Sequence, residues 1–153
     1  MTQTAFLSEI DIVLAKQACY DLVMRFAACN DNRNPQGLGA LFVDDGVIVR
    51  PNGEVLTGPT SIAAGYAHRP ADTMTRHLCG NVMIDVTSAA TASGTSTVLL
   101  WSASTATPAE SFGRRAAARQ VIGTFEDSFV KTAQGWRIAK RQARFDLVRG
   151  EQT

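Results

Sequence analysis

The sequence lacks a strong net charge and any long uncharged apolar run. It has 15 Lys and Arg residues against 14 Asp and Glu residues, a formal net charge of +1 at pH 7. This balance does not favour electrostatic binding to nucleic acid or to an anionic membrane. No apolar run approaches the roughly 20 residues of a membrane-spanning helix. The N-terminus also lacks the basic, apolar and small-residue segments of a signal peptide. We therefore expect a cytoplasmic protein with neither nucleic-acid nor membrane partners.

Cysteine and histidine are also scarce, which limits the chemistry that the chain can carry. Its three cysteines, at positions 19, 29 and 79, are odd in number and lack the spacing of metal ligands. We expect them to be reduced and buried, with a catalytic thiol at Cys79 as the less favoured alternative. The sequence contains no phosphate-binding loop, nucleophile elbow or metal-ligand motif. No metal site is predicted.

What the chain does have is the size and composition of one globular domain. Its 153 residues are 45% hydrophobic and 19% charged, without repeats or linkers, so we expect a single domain over residues 1–153. A capping box at Ser8 and an apolar helical periodicity predict a long helix over 9–29. Pro35 can open a second helix through Leu41 and Phe42, before a turn at 44–46. The segments 47–49 and 55–56 flank Pro51-Asn52-Gly53, a hairpin signal, and a third helix is expected over 60–68.

The second half of the chain is typical of a sheet. Long strands are predicted over 74–86, 91–104, 118–131 and 136–147, with a loop over 105–117 and a turn at 133–135. Helices followed by strands indicate an α+β fold. A long helix lying across a strongly bent, mostly antiparallel sheet would leave a cone-shaped cavity.

The strand over 74–86 places one of the two histidines on a row of side chains that could face this cavity. Alternation puts His77, Cys79, Asn81 and Met83 on one side, and Leu78, Val82 and Ile84 on the other. A histidine in such surroundings can titrate near neutral pH and transfer a proton. The competing interpretation is a core histidine that only satisfies its hydrogen bonds. The second histidine, His68, lies in a helix-ending turn and is expected to be exposed.

A set of ordered landmarks gives the chain a family resemblance. They are Asp31 after the first helix, LFVDD (41–45), PNG (51–53) with Gly58, TRH (75–77), GTFEDSFVKT (123–132) and GWRIA (135–139). Over residues 8–147 the chain resembles the SnoaL-like family of the nuclear-transport-factor-2-like superfamily, which has the cystatin-like cone fold. Its nearest pattern is that of scytalone dehydratase and the bile-acid dehydratases. The resemblance implies that His77 matches the family's catalytic histidine and Asp31 the acidic residue that orients it.

The resemblance implies a small cofactor-free lyase or isomerase acting on a hydrophobic, cyclic, oxygenated molecule. Its expected substrate-binding residues are Asn81, Tyr20, Tyr66, Ser102, Phe125 and Arg141. A tyrosine next to the acidic residue is missing, since Asn30 stands there. The strand after His77 offers only the hydroxyls of Thr95, Ser96, Thr97 and Ser102, which are poor acid–base groups. Arg141 and Arg144 would either reach an anionic substrate or lie in solvent.

Two other functions stay open, and both follow from the same superfamily. The cavity could hold a small apolar ligand without chemistry, or the chain could be an accessory subunit resembling the small subunits of aromatic-ring-hydroxylating dioxygenases. The resemblance also implies a homodimer formed through the outer sheet face. Trp101, Trp136 and Phe129 are expected in the core rather than at a ligand.

Overall fold

The computed structural model describes residues 7–150, so the ends of the predicted domain, 1–6 and 151–153, lie outside the described residues. Three helices and six strands follow one another as α1 (Glu9–Asp31), α2 (Pro35–Gly39), β1 (Phe42–Val49), β2 (Val55–Thr57), α3 (Pro59–Ala67), β3 (Thr73–Val86), β4 (Thr91–Ser104), β5 (Gln120–Thr132) and β6 (Gly135–Arg149). The strands form one sheet in the order β2-β1-β6-β5-β4-β3. The α+β prediction is confirmed. None of the helices in residues 7–150 is long and apolar enough to cross a membrane.

The helix α1 begins at the predicted capping box and lies against the sheet. The Ser8 hydroxyl accepts from the Asp11 backbone N–H, and the Asp11 carboxylate accepts from the Ser8 N–H. These bonds satisfy donors that a helix start leaves free. One face of α1 is buried, mainly against β3, through Ala15, Cys19, Leu22, Val23, Phe26 and Ala27. The helix ends at Asp31, which places that carboxylate beside β3.

The sheet is antiparallel except where β1 runs parallel to β6. The predicted hairpin is present, because Val47 pairs with Thr57 and Val49 with Val55. The second helix is shorter than predicted. It ends at Gly39, which packs so closely on the Pro59 carbonyl that a Cβ would lie 2.4 Å from that oxygen. Residues 42–49 then form β1, and the expected turn at 44–46 is instead a register irregularity inside this strand.

The core lies between α1 and the concave face of the sheet. Phe26, Phe129 and Ile138 are almost fully buried there, and Trp136 is also buried. The prediction for Trp101 is wrong, because its side chain points to the outer face and is 41% exposed. Cys19, Cys29 and Cys79 are free thiols, of which Cys19 alone is fully buried. Burial, helped by the negative charge of Asp127, raises the pKa of the Cys19 thiol to about 12.

Candidate functional site

A bulge in β3 decides which side chains face the interior. Thr75, His77 and Cys79 point inward, but the register against β4 shifts between Gly80 and Met83. Asn81 takes a left-handed conformation there, with φ of 48°. An extra residue in one strand reverses the alternation that follows it. The predicted position of Asn81 on the His77 face is therefore wrong, since its side chain is exposed at the bulge.

Asp31 and His77 lie in direct contact at the end of α1. His77 Nδ1 is 2.6 Å from Asp31 Oδ1, and the His77 backbone N–H donates to Asp31 Oδ2 at 2.8 Å. The hydroxyl of Thr75 donates to Asp31 Oδ1 at 2.9 Å. The side chains of His77 and Asp31 are 10% and 12% exposed. Two strand residues and one helix-terminal carboxylate thus form a largely buried network.

These hydrogen bonds keep Asp31 ionised. Burial raises the pKa of this carboxyl group, but the bonds from the His77 side chain and backbone, with that from Thr75, outweigh burial and lower the pKa overall. An ionised carboxylate can only accept hydrogen bonds, so Nδ1 of His77 must be the donor. In the neutral ring, the other nitrogen, Nε2, then carries the lone pair. The geometry produces a histidine whose Nε2 is available as a base.

A cavity of about 150 Å³ lies beside the imidazole ring of His77. Its lining is mostly apolar, with Phe26, Val98, Leu100, Val121, Phe125, Ala143 and Phe145, and its polar members besides His77 are Asn30, Arg50, Tyr66 and Arg144. The amide nitrogen of Asn30 is 3.4 Å from His77 Nε2. A neighbouring groove of about 450 Å³ shares His77, Asn30 and Tyr66 with the cavity and adds Arg69 and Thr75.

A comparison of the sequence with family profiles identifies the domain. The profile of the SnoaL-like domain matches residues 11–142, which covers most of the chain. The chain belongs to the SnoaL-like family. None of the curated proteins matches the sequence significantly.

Solved structures share the fold of this SnoaL-like chain at low sequence identity. A candidate scytalone dehydratase from Novosphingobium aromaticivorans DSM 12444 is 20% identical with a TM-score of 0.79, over 95% of this chain and 93% of that one. The hexachlorocyclohexane dehydrochlorinase LinA-type3 from Novosphingobium barchaimii LL02 is 17% identical with a TM-score of 0.77, over 92% of each chain. ActVI-ORFA from Streptomyces coelicolor is 19% identical with a TM-score of 0.69, over 88% and 97%. An NTF2-like protein with a cystatin-like fold from Novosphingobium aromaticivorans is 18% identical with a TM-score of 0.73, and these similarities establish the cystatin-like fold.

The structure brings only part of the predicted substrate-binding set to the cavity of this SnoaL-like domain. Tyr66 and Phe125 line it, and burial raises the pKa of the Tyr66 phenol. Tyr20 is 40% exposed and lines a separate groove beside the bulged part of β3. Ser102, on β4, pairs with Thr75 on β3, but it does not line the cavity or the groove. The structure therefore does not bring Tyr20 or Ser102 to this cavity, where the prediction placed them.

Arg141 lies beneath the cavity instead of reaching into it, which contradicts both alternatives that the sequence left open. Its guanidinium donates twice to Asp127, through Nε and Nη2, each at 2.7 Å. The guanidinium carbon is 4.3 Å from the centre of the Phe26 ring and 4.2 Å from that of Phe125. Its side chain is fully buried. Arg141 thus supports the two aromatic rings that line the cavity, whereas Arg144 lines it directly and pairs with Glu126.

Sequence reasoning missed three polar residues of the site, namely Asn30, Thr75 and Arg69. Two of them left a signal: Thr75 shares the inward face of β3 with His77, and Asn30 immediately precedes Asp31. Arg69 left none, because its position depends on how the chain after α3 folds back. Among residues 7–150, no group of three or more His, Cys, Asp or Glu side chains could hold a metal ion.

The lowered pKa of Asp31 predicts a specific loss of stability in acid. The folded-state pKa lies below that of the unfolded chain, so ionised Asp31 stabilises the fold above about pH 4, and this contribution disappears as the pH falls through the folded-state value. We expect Asp31→Asn to lower the free energy of unfolding by about 2 kcal/mol near neutral pH. The difference from the unmodified protein should shrink towards pH 3, which urea unfolding at several pH values can measure. If the difference in the free energy of unfolding between the two proteins did not change with pH, a lowered pKa of Asp31 would be contradicted.

Proposed function

We propose that this SnoaL-like protein is a lyase or isomerase that removes a proton from a small hydrophobic, cyclic, oxygenated molecule. The observation that carries the proposal is the 2.6 Å contact between His77 Nδ1 and Asp31. This contact directs the lone pair of Nε2 to the side of the ring where Asn30 and the cavity lie. A proton acceptor fixed in this way, next to an apolar cavity, is suited to general base catalysis.

The reaction that fits these groups is an elimination next to a carbonyl. His77 Nε2 takes the proton from the carbon beside the carbonyl, and the electrons of the C–H bond form the double bond as the C–O bond breaks. The resulting imidazolium, stabilised by Asp31, returns its proton to the departing hydroxyl, so that water leaves and the base is restored. Returning the proton to another carbon would give an isomerisation instead. The Asn30 amide and the Tyr66 hydroxyl, both on the lining, can donate to the negative charge that develops on the carbonyl oxygen.

The size and lining of the cavity support the substrate class. An apolar cavity of about 150 Å³ is large enough to bind benzene, so a volume of about 150 Å³ here suits one six-membered ring. The adjoining groove can take substituents of that ring. The names of two structural neighbours, a candidate scytalone dehydratase and a dehydrochlorinase, agree with elimination chemistry.

A second candidate function is ligand binding without turnover. The observation that favours it is the high share of apolar side chains around the cavity, which bury a hydrophobic ligand but take no part in proton transfer. The two functions differ in one measurable respect. Only the enzyme exchanges a carbon-bound hydrogen of its ligand with solvent.

Solvent exchange therefore tests the proposed function. We expect the protein, given cyclic β-hydroxy ketones such as 3-hydroxycyclohexanone in D₂O, to incorporate deuterium beside the carbonyl and to form the enone, both visible by mass spectrometry and NMR. His77→Gln should slow both processes by about 10³-fold, the usual contribution of a general base. Asp85→Asn, which removes an exposed carboxylate elsewhere on β3, is the control and should leave the rate unchanged. Binding without exchange would support the ligand-binding function, and unchanged exchange in His77→Gln would exclude His77 as the base.

A further inference from the structure

Arg69 contacts residues on both sides of the Asp31–His77 pair. It follows α3, and its Nη1 donates to the Thr75 hydroxyl at 2.6 Å. Its Nη2 donates to the backbone carbonyl of Asn30 at 2.9 Å, and Nη1 also lies 3.4 Å from the side-chain oxygen of Asn30. One guanidinium therefore joins the β3 residue that binds Asp31 to the α1 residue that lies beside His77 Nε2.

The contact with Thr75 fixes the direction of the hydrogen bonds that lead to His77. A guanidinium has no acceptor, so the Thr75 oxygen must accept from Arg69. The single hydroxyl proton of Thr75 is then free to point at Asp31 Oδ1, 2.9 Å away. Asp31 thus receives hydrogen bonds from Thr75 and from His77 Nδ1 and has no proton of its own to donate. The proton on the imidazole is held on Nδ1.

The contact with Asn30 affects the other ring nitrogen of His77, Nε2, and favours the same Nδ1-protonated tautomer. Because Arg69 donates towards the side-chain oxygen of Asn30, the amide group turns its NH₂ towards His77 Nε2 at 3.4 Å. An NH₂ group faces an acceptor, which requires an unprotonated Nε2. The reverse orientation of the amide would place an oxygen there and favour a proton on Nε2. Both arms of Arg69 therefore favour the same tautomer.

Arg69 itself is held in place by a second arginine. Arg33, in a left-handed conformation just after α1 with φ of 55°, donates to the carbonyls of Ala71 at 3.0 Å and Thr73 at 2.6 Å, and also to that of Pro70. These bonds fasten the segment between α3 and β3 to the end of α1. Arg69 lies at the start of this segment, so its guanidinium enters the site from a fixed backbone.

We infer that Arg69 is a positioning residue that reinforces the tautomer set by Asp31, with the proton on Nδ1 of His77 and the lone pair on Nε2, because it aligns Thr75 and Asn30 on the two sides of the ring. The inference deepens the proposed function and rests on it for its effect on turnover. Its structural content does not depend on turnover, because the tautomer can be observed without a substrate. Lysine would not serve equally well, since a single ammonium group lacks the planar fork that reaches Thr75 and Asn30 together.

The experiment is ¹⁵N NMR of the imidazole ring in the full-length protein at about pH 8.5, where an unperturbed histidine is neutral. The unmodified protein should show a protonated Nδ1 and an unprotonated Nε2 for His77. In Arg69→Met the Asn30 amide is free to turn its oxygen towards Nε2, so we expect an Nε2-protonated fraction to appear beside the Nδ1-protonated ring that Asp31 favours. We also expect a turnover in the solvent-exchange assay that is roughly tenfold lower, as for other groups that orient a functional side chain. Arg137→Met is the matched control. Arg137, near the start of β6, is also half-buried, and it donates to the backbone carbonyl of Trp136.

Two substitutions of Thr75 keep the test decisive if Arg69→Met does not fold. Thr75→Val removes the hydroxyl that donates to Asp31 and accepts from Arg69, and it should also produce an Nε2-protonated fraction. Thr75→Ser keeps this hydroxyl and should leave the ring Nδ1-protonated. A ring that stays fully Nδ1-protonated in both Arg69→Met and Thr75→Val would overturn the role of Arg69. The tautomer could shift as expected while even the unmodified protein fails to exchange a carbon-bound hydrogen of the ligand with solvent. In that case the inference about Arg69 stands and the proposed function fails.

Discussion

Asp31→Asn is expected to lower turnover by about 10³-fold, as much as the loss of the base itself, while leaving the fold in place, because it reverses the tautomer of His77. The asparagine side chain fits the space of the aspartate, and its oxygen can still accept from the His77 backbone N–H. Its NH₂ group would then face His77 Nδ1, now 2.6 Å from a carboxylate oxygen. A ring nitrogen that accepts a hydrogen bond there carries its proton on Nε2. The lone pair that should remove the substrate proton would be lost.

The loss should appear in kcat rather than in ligand binding, since Asp31 is not among the residues that line the cavity. Turnover of the cyclic β-hydroxy ketones and the affinity for an unreactive analogue, cyclohexanone, give the two measurements. Asp85→Asn makes the same chemical change on the outer side of β3 and should leave both values unchanged. Turnover of Asp31→Asn within tenfold of the unmodified protein would show that the carboxylate does not set the state of His77.

The meeting of Asp31 and His77 could be expected from the sequence because it depends on two regular elements. Helical periodicity and turn-forming residues locate the end of α1, and the alternation of β3 locates the inward face up to Cys79. The family resemblance links these two positions, which are 46 residues apart. The α+β class followed from the order of helices before strands, and the cone fold followed from the family resemblance.

Predictions failed where the structure depends on a local irregularity. The bulge after Gly80 turns Asn81 outward and brings Val82 and Ile84 to the inner face, and no periodic pattern records that extra residue. The position of Arg69 depends in turn on Arg33 and on carbonyl groups of the segment before β3, which are the same in every sequence. Backbone acceptors leave no residue-specific signal, so this part of the site could be found only in the structure.

The burial of Arg141 shows a third reason, which is strand register. Asp127 sits between Phe125 and Phe129 on the inward face of β5, and Arg141 lies directly opposite Asp127 on β6. In the sequence of each strand taken alone, the charged residue occupies a position where the alternation predicts an apolar side chain. Only the pairing of the two strands shows that the charges neutralise one another.

Removing one member of this pair is expected to have the largest effect on stability. Asp127→Leu would leave the Arg141 guanidinium, fully buried between Phe26 and Phe125, without its carboxylate. Loss of one partner of a buried ion pair costs about 3–5 kcal/mol, because an uncompensated charge stays in a low-dielectric interior. We expect the free energy of unfolding, measured by urea denaturation, to fall by this amount. Glu126→Leu, at the neighbouring exposed position that pairs with Arg144, should change it by about 1 kcal/mol or less.

The double variant Asp127→Leu/Arg141→Met separates the attraction between the charges from the penalty of stranding one of them. If most of the cost in the single variants is the buried uncompensated charge, removing both charges should recover much of the lost stability. Additive losses would instead mean that Arg141 stabilises the fold mainly by packing against Phe26 and Phe125. Since both rings line the cavity, the double variant should also lose affinity for cyclohexanone if the guanidinium sets their positions. If stability is recovered but binding is weakened, the buried ion pair serves to position the rings that line the cavity and adds little to the net stability of the fold.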